Sequence, residues 1–262
     1  MCGFIGFTGI IDRREDVIRK MAERIIHRGP NSGGFHYSGE NDNDSVTLGF
    51  RRLSIIDLSD GSQPMYNEDG TVVAVYNGEI YNFMNLRDEL IAKGHIFRTH
   101  CDTEVIIHGY EEWGKKIAEK LRGMFAFVIF DKKTNVLYGA RDPFGIKPFY
   151  YTKVKSGLIF GSEIKSFLEH PDFKPEVNEN ALRPYLTFQY SSLEETFFKG
   201  VFKLPPAHYF TYSGGKMEKT RYFDFDFTKK TSLSYDECAD MIDKRVHESV
   251  AAHRISDVKV GS

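Results

Sequence analysis

The sequence predicts a layered α+β domain built on antiparallel sheets, and three observations carry that expectation. Short apolar segments joined by tight turns dominate residues 124–161, a pattern of hairpins rather than of long parallel crossovers. Helical periodicity falls mainly in a few stretches ahead of those segments and does not alternate with them one by one. Aromatic residues are abundant, 22 Phe and 14 Tyr in 262 residues, and they suit the faces of packed sheets.

Residues 4–8 form a short apolar run interrupted by Gly6 and read as a buried strand starting almost at the terminus. Over 15–26, Val17, Met21 and Ile25 recur every fourth residue beside Ile18, Ala22 and Ile26, which predicts a helix with one apolar face. His27-Arg28-Gly29-Pro30 ends it, because glycine and proline both interrupt helices. Residues 46–50 and 71–76 read as strands, the second rich in β-branched side chains. Asn77-Gly78 then reads as a turn at the strand end. Helices over 84–93 and 103–113 are closed by Gly94 and Gly114. Strands follow at 124–131, 135–141, 149–152 and 158–161, the first two joined by Lys132-Lys133-Thr134. A polar, proline-bearing loop is expected over 170–184 and a last strand region over 196–212. A helix over 235–252, with Ser234 as N-cap, carries Cys238, Met241, Ile242 and Val246 on one stripe. The expected division is a main domain at 1–212, a linker at 213–234, and the beginning of a second unit at 235–262.

Composition narrows the function. A net charge of −2 provides no dominant basic surface, which argues against nucleic acid as the main partner. The three cysteines, Cys2, Cys101 and Cys238, are odd in number and form no Cys-x-x-Cys pair, as expected in a reducing compartment without a disulfide framework. No apolar run reaches the roughly 18–20 residues that span a bilayer. The first residues lack a charged leader, so a cytoplasmic protein without a membrane partner is expected.

Cys2 is the first chemical signal. Removal of Met1 would place a thiol and a free α-amino group on one residue. An unperturbed α-amine has a pKa of roughly 7.7–8.0, so part of it is neutral near pH 7 and can act as the base for the thiol. Position alone is weak evidence, since a cysteine is more often a small packing residue. Attack on an amide would create an oxyanion, and the Asn77 side-chain amide with the Gly78 N–H could receive it. A glutamine substrate also carries a carboxylate that suits Arg52 and an ammonium that suits Glu79 and Asp102. Each of these residues taken singly reads more readily as a turn or a solvated charge.

Taken together they resemble the class II, N-terminal-nucleophile glutamine amidotransferases, with asparagine synthetase-type members the nearest. The likeness is carried by Met1-Cys2-Gly3, His27-Arg28-Gly29-Pro30-Asn31, Arg52-Leu53-Ser54-Ile55-Ile56-Asp57, Gln63-Pro64-Met65 and Asn77-Gly78-Glu79-Ile80-Tyr81-Asn82. It continues through Cys101-Asp102-Thr103-Glu104, Arg122-Gly123-Met124-Phe125-Ala126-Phe127 and Arg141-Asp142-Pro143-Phe144-Gly145-Ile146-Lys147-Pro148. The resemblance implies an Ntn-hydrolase fold, a four-layer αββα sandwich of two antiparallel sheets flanked by helices. It implies Cys2 as nucleophile, Asn77 and Gly78 as oxyanion hole, Arg52 on the glutamine carboxylate, and Glu79 with Asp102 on its amino group. Leu53, Ser54, Ile55 and Ile56 would line the same pocket. It further implies that 235–262 opens an ATP-dependent synthetase domain in cis, which would bind ATP and Mg and amidate aspartate. The family's Ser-Gly-Gly-x-Asp-Ser phosphate loop is not found here, so a truncation is expected and no cofactor is expected in this chain. A homodimer stays open.

The nine histidines show no metal-binding spacing. His95, His100 and Cys101 read as loop and core positions, His27 as a structural partner in a turn, and Cys238 as a packing residue. Two rival readings remain: an amidotransferase acting on another carboxylic acceptor, and a catalytically silent binding module of the same fold.

Overall fold

The structure, a computed structural model, describes residues 1–39, 45–54, 61–191 and 193–258. Two six-stranded sheets stack face to face. The first runs, edge to edge, β10 (Val201–Lys203), β8 (Tyr150–Val154), β9 (Gly157–Gly161), β1 (Gly3–Thr8), β3 (Val46–Arg52) and β2 (Ser32–Tyr37). The second runs β12 (Lys216–Arg221), β11 (His208–Ser213), β7 (Val136–Arg141), β6 (Gly123–Asp131), β5 (Val72–Ile80) and β4 (Met65–Tyr66). Neighbouring strands in both are antiparallel. Helix α1 (Arg14–Arg24) and the short helix Ile164–Glu169 cover the outer face of the first sheet. Helices α2 (Phe83–Ala92), α3 (Glu104–Trp113) and α4 (Ile117–Lys120) cover the second. This is the αββα order that the resemblance implies.

Side-chain alternation builds the layers. In β5, Val73 and Val75 enter the core between the sheets, while Val72, Ala74 and Tyr76 face α2 and α3. In β6, Ala126, Val128 and Phe130 point inward, and Phe125, Phe127 and Ile129 point to the helices. Strand β1 lies between β9 and β3, and all six of its residues are buried. The first few residues of the chain thus hold an interior position.

Four sequence expectations need correction. Asn77-Gly78 is no turn, because β5 runs through both and pairs Asn77 with Ala126 and Gly78 with Phe125. Glycine is required there for close approach: a Cβ on Gly78 would lie 2.3 Å from the Met124 carbonyl oxygen. The loop expected over 170–184 contains the start of helix α5 (Glu179–Phe188), with Pro184 inside it. Tertiary anchoring starts that helix, since Asn178 donates from its N–H to Phe197 O (2.8 Å) and from Nδ2 to Thr196 O (3.0 Å). The linker expected at 213–234 holds β12, which pairs with β11 along its whole length. Gly214 and Gly215 both take left-handed backbone (φ 55° and 75°), the requirement of a tight hairpin, so the main sheet continues to Arg221. The last strand region, expected over 196–212, divides into β10 and β11.

Helix α6 (Tyr235–His253) starts at Ser234, whose Oγ accepts from Glu237 N–H while Glu237 answers to Ser234 N–H. It contacts the domain through His253, whose ring lies tilted against Tyr81 at 4.2 Å between centroids, and Ile255 packs just beyond it. Its Ile242, Val246 and Val250 stay exposed. Among the described residues no helix is long and apolar enough to cross a membrane.

Candidate active site

Cys2 stands at the entrance of β1, where the two sheets meet, and touches the inter-sheet core. Its Sγ donates to Leu53 O (3.4 Å) and accepts from Leu53 N–H (3.3 Å), which ties the thiol to the end of β3. The Cys2 carbonyl accepts from Arg28 Nε (2.9 Å), and Arg28 in turn pairs with Glu163 (3.0 Å). Glu163 also takes His27 Nε2 at 2.9 Å, so His27 has the structural part expected of it.

The thiol opens on a cavity of about 350 Å³ whose walls include Arg52, Leu53, Gln63, Tyr76, Asn77, Gly78, Glu79, Asp102 and Lys147. Cys2, Arg52, Asn77, Gly78, Glu79 and Asp102, all expected from the sequence, therefore meet at one place. Leu53 is there too, while Ser54 follows it and donates from its N–H to Asn31 Oδ1 (3.1 Å). Ile55 and Ile56 lie outside the described residues.

Register explains the donors. Phe125 N–H donates to Asp142 Oδ2 and Phe125 O accepts from Asp142 N–H, so neither faces β5. Gly78, opposite Phe125, is thus in a non-hydrogen-bonded pair, and its N–H points away from β6. On that same edge Tyr76 N–H donates to Gln63 Oε1 (2.7 Å) and Ile80 N–H to Asp102 Oδ2 (2.9 Å). Between them the Gly78 N–H faces the cavity. Asn77 is buried, and its Nδ2 has no hydrogen-bond partner among the described residues. An unpaired buried amide costs roughly 1–3 kcal/mol, a cost that an oxygen atom bound in the cavity would offset.

Burial sets the charges. It pushes the Cys2 thiol above its ordinary value, against the Leu53 hydrogen bond and the positive terminal amine. The amine of Met1 is pushed down, first by burial, with the Arg28 and Lys147 charges adding to that and Cys2 opposing. Burial raises Glu79, and the Asp102 charge adds to it, while Lys147 works the other way. Burial also raises Asp102, against the Tyr76 hydroxyl (2.7 Å) and Ile80 N–H that it accepts. Lys147, also buried on this cavity, is pushed down by burial first, with the Glu79 charge opposing.

Sequence reasoning assigned no role to Lys147, Tyr76, Gln63 or Arg28. Lys147 is presented by a loop wound on Asp142, whose two oxygens accept from the N–H groups of Phe144, Ile146 and Lys147. Arg141 locks that loop through the carbonyls of Lys147, Gly145 and Leu204. The Arg141-Asp142 pair before a Pro-Phe-Gly turn was the available signal. Gln63 donates from Nε2 to Thr103 Oγ1 (3.2 Å), a link across 40 residues with no local signature. Cys101 packs in the core behind Asp102 and donates to Thr103 Oγ1 (3.1 Å). Among the described residues, Cys2, Cys101 and Cys238 form no disulfide. A separate group, Glu68, His95 and His108, brings metal-binding atoms within 4.8 Å of one another away from this cavity.

Comparison with known proteins identifies the family and the fold. Residues 1–223 match the glutamine amidotransferase domain family. The chain is 41% identical over its whole length to the glutamine-hydrolysing asparagine synthetase 1 of Bacillus subtilis, of which it covers 41%. It is 37% identical, over 99% of its length, to asparagine synthetase 3 of the same organism, covering 42% of that protein. It thus spans about two-fifths of the length of these relatives. A solved glutamine phosphoribosylpyrophosphate amidotransferase from B. subtilis has the same fold, with a TM-score of 0.62 at 17% identity over 85% of this chain and 49% of its own. The family match over residues 1–223 and the whole-length relatives together show the family: this chain belongs to the class II glutamine amidotransferase domains.

Proposed function

We propose that Cys2, freed by removal of Met1, is the nucleophile that hydrolyses glutamine to glutamate and ammonia. We further propose that in the full-length protein this ammonia amidates aspartate to asparagine. The observation that carries the first reading is the buried Asn77 Nδ2, without a partner among the described residues, in the cavity that Cys2 lines.

Arg52 would pair with the α-carboxylate of glutamine, and Glu79 and Asp102 would receive its ammonium. That leaves the side-chain amide directed at Cys2. The thiol is not ionised on its own, because burial raises it, so a base is needed. The α-amine that removal of Met1 would leave on Cys2 has an ordinary value of roughly 7.7–8.0, so part of it is neutral near pH 7 and can take the thiol proton. Sulfur then bonds to the amide carbon, and the carbonyl pair moves onto oxygen, where Asn77 Nδ2 and Gly78 N–H would stabilise it. Collapse breaks the C–N bond, the ammonium returns its proton to the leaving nitrogen, and ammonia departs from a thioester. Water, deprotonated by the same amine, cleaves the thioester to glutamate and restores the thiol.

The asparagine reading is supported by relatives whose names state that activity. ATP and magnesium would be bound in the part of such proteins that this chain does not span. Two measurements test the proposal. The chain should release ammonia from glutamine, carry no Met1 by intact mass, and lose at least about 10⁴-fold in turnover as Cys2→Ala. Normal turnover by that variant, or by enzyme that retains Met1, would overturn the nucleophile. In the full-length protein, ammonia release without asparagine formation from aspartate and ATP would move the acceptor elsewhere while leaving the glutaminase intact.

A further inference from the structure

We propose that Glu68, His95 and His108 form a binding site for a divalent transition metal, with zinc as the expected occupant. The three residues come from three segments. Glu68 lies in the turn between β4 and β5, His95 follows α2, and His108 sits on α3. Their ligand atoms lie within 4.8 Å of one another. Zinc bonds of about 2.0–2.2 Å in a tetrahedron place ligand atoms roughly 3.3–3.6 Å apart, so the group needs only a small contraction. Glu68 Oε2 is already 3.6 Å from His108 Nδ1. Glu111 Oε2 stands 3.1 Å from His108 Nδ1 and 3.9 Å from His95 Nδ1, within reach of the fourth position.

The surroundings are those of a built site. His108 is buried, and its Nε2 has no hydrogen-bond partner among the described residues. Glu104 Oε1 lies 3.6 Å from that nitrogen on the far edge of the ring, the placement of a carboxylate behind a metal-bound imidazole. Glu104 is itself fixed by the N–H groups of Arg98 and Thr99. Glu68 Oε1 accepts from Ile96 N–H (3.1 Å), which aims its other oxygen at the histidines. Two imidazoles with carboxylates suit zinc better than calcium or magnesium, which take oxygen sets. No spacing rule reveals the group, because its members are 27 and 13 positions apart in the chain.

Without a metal, the rival occupant is a proton. Burial opposes the His108 cation, but Glu104, Glu111 and the Glu68 charge outweigh it and push the group up to about 9. Zinc would displace that proton and tie the β4–β5 turn to the connection that leads into Asp102.

The test uses the full chain as Cys2→Ala, so that the cavity thiol binds nothing, after treatment with a chelator. Zinc is titrated by calorimetry and cobalt by visible absorption. The expected result is one equivalent with a Kd near or below about 1 µM, and a rise in Tm with metal. His95→Ala and Glu68→Gln, both on solvent-accessible segments, should each weaken binding at least about tenfold. In the chain with Cys2 intact, both should leave glutamine turnover in place. No binding at about 100 µM zinc, or binding that neither substitution weakens, would overturn the site in favour of a proton-filled ion cluster.

Discussion

A buried amide nitrogen without a hydrogen-bond partner lowers stability, and Asn77 Nδ2 has none among the described residues. Asn77→Ala should therefore cost about 10²–10³ in kcat while leaving Tm level or slightly raised, a split that turnover assays and calorimetry would show. Ionisation gives a second expectation. Burial, with the Asp102 charge added at Glu79, raises both carboxyl groups, so they protonate at a higher pH than exposed carboxylates do. The KM for glutamine should rise as pH falls through that raised range, because the ammonium loses its counter-charge. Stability should move the opposite way. A carboxyl raised by folding favours the folded state at low pH and loses that contribution as pH climbs through its folded value. Acid inactivation with no matching drop in Tm would verify both signs. The legible residues were those of adjacent motif positions, such as Asn77-Gly78-Glu79. Arg28 was illegible because its work depends on Cys2 and Glu163, far away in the chain.

At the scale of elements, helices with a clear apolar period and a glycine stop were readable. α2 ends two residues before Gly94 and α3 one residue before Gly114, both glycines at positive φ. What misled was chemistry with two meanings. Asn-Gly favours a turn, yet in β5 the glycine admits the Met124 carbonyl and the asparagine faces the cavity. Gly78→Ala should shift β5 against β6, since the new Cβ would meet backbone on the facing strand. A loss of roughly 1–3 kcal/mol is expected, a fall of several degrees in Tm, together with a fall in glutamine turnover. Polar composition hid β12 in the same way. Its residues are exposed on most sides, and only the Gly214-Gly215 turn and the β11 register place it in the sheet.

On the scale of the whole molecule, three apolar layers, two beneath helices and one between sheets, hold the site at a seam. Layer order was legible from alternation along strands such as β5, but strand order was not, because pairings such as β1 with β9 join residues about 150 positions apart. Helix α6 contributes no buried residue to these layers. A chain ending after residue 230 should keep its glutamine turnover and lose only a few degrees in Tm, readable by calorimetry. The placement of β1 has one more outcome. Because β1 is gripped between two strands and Met1 already borders the cavity, anything fused ahead of Cys2 would thread through that cavity. An affinity handle belongs at the other end, and one placed in front would silence the enzyme until a protease trimmed it back to the thiol.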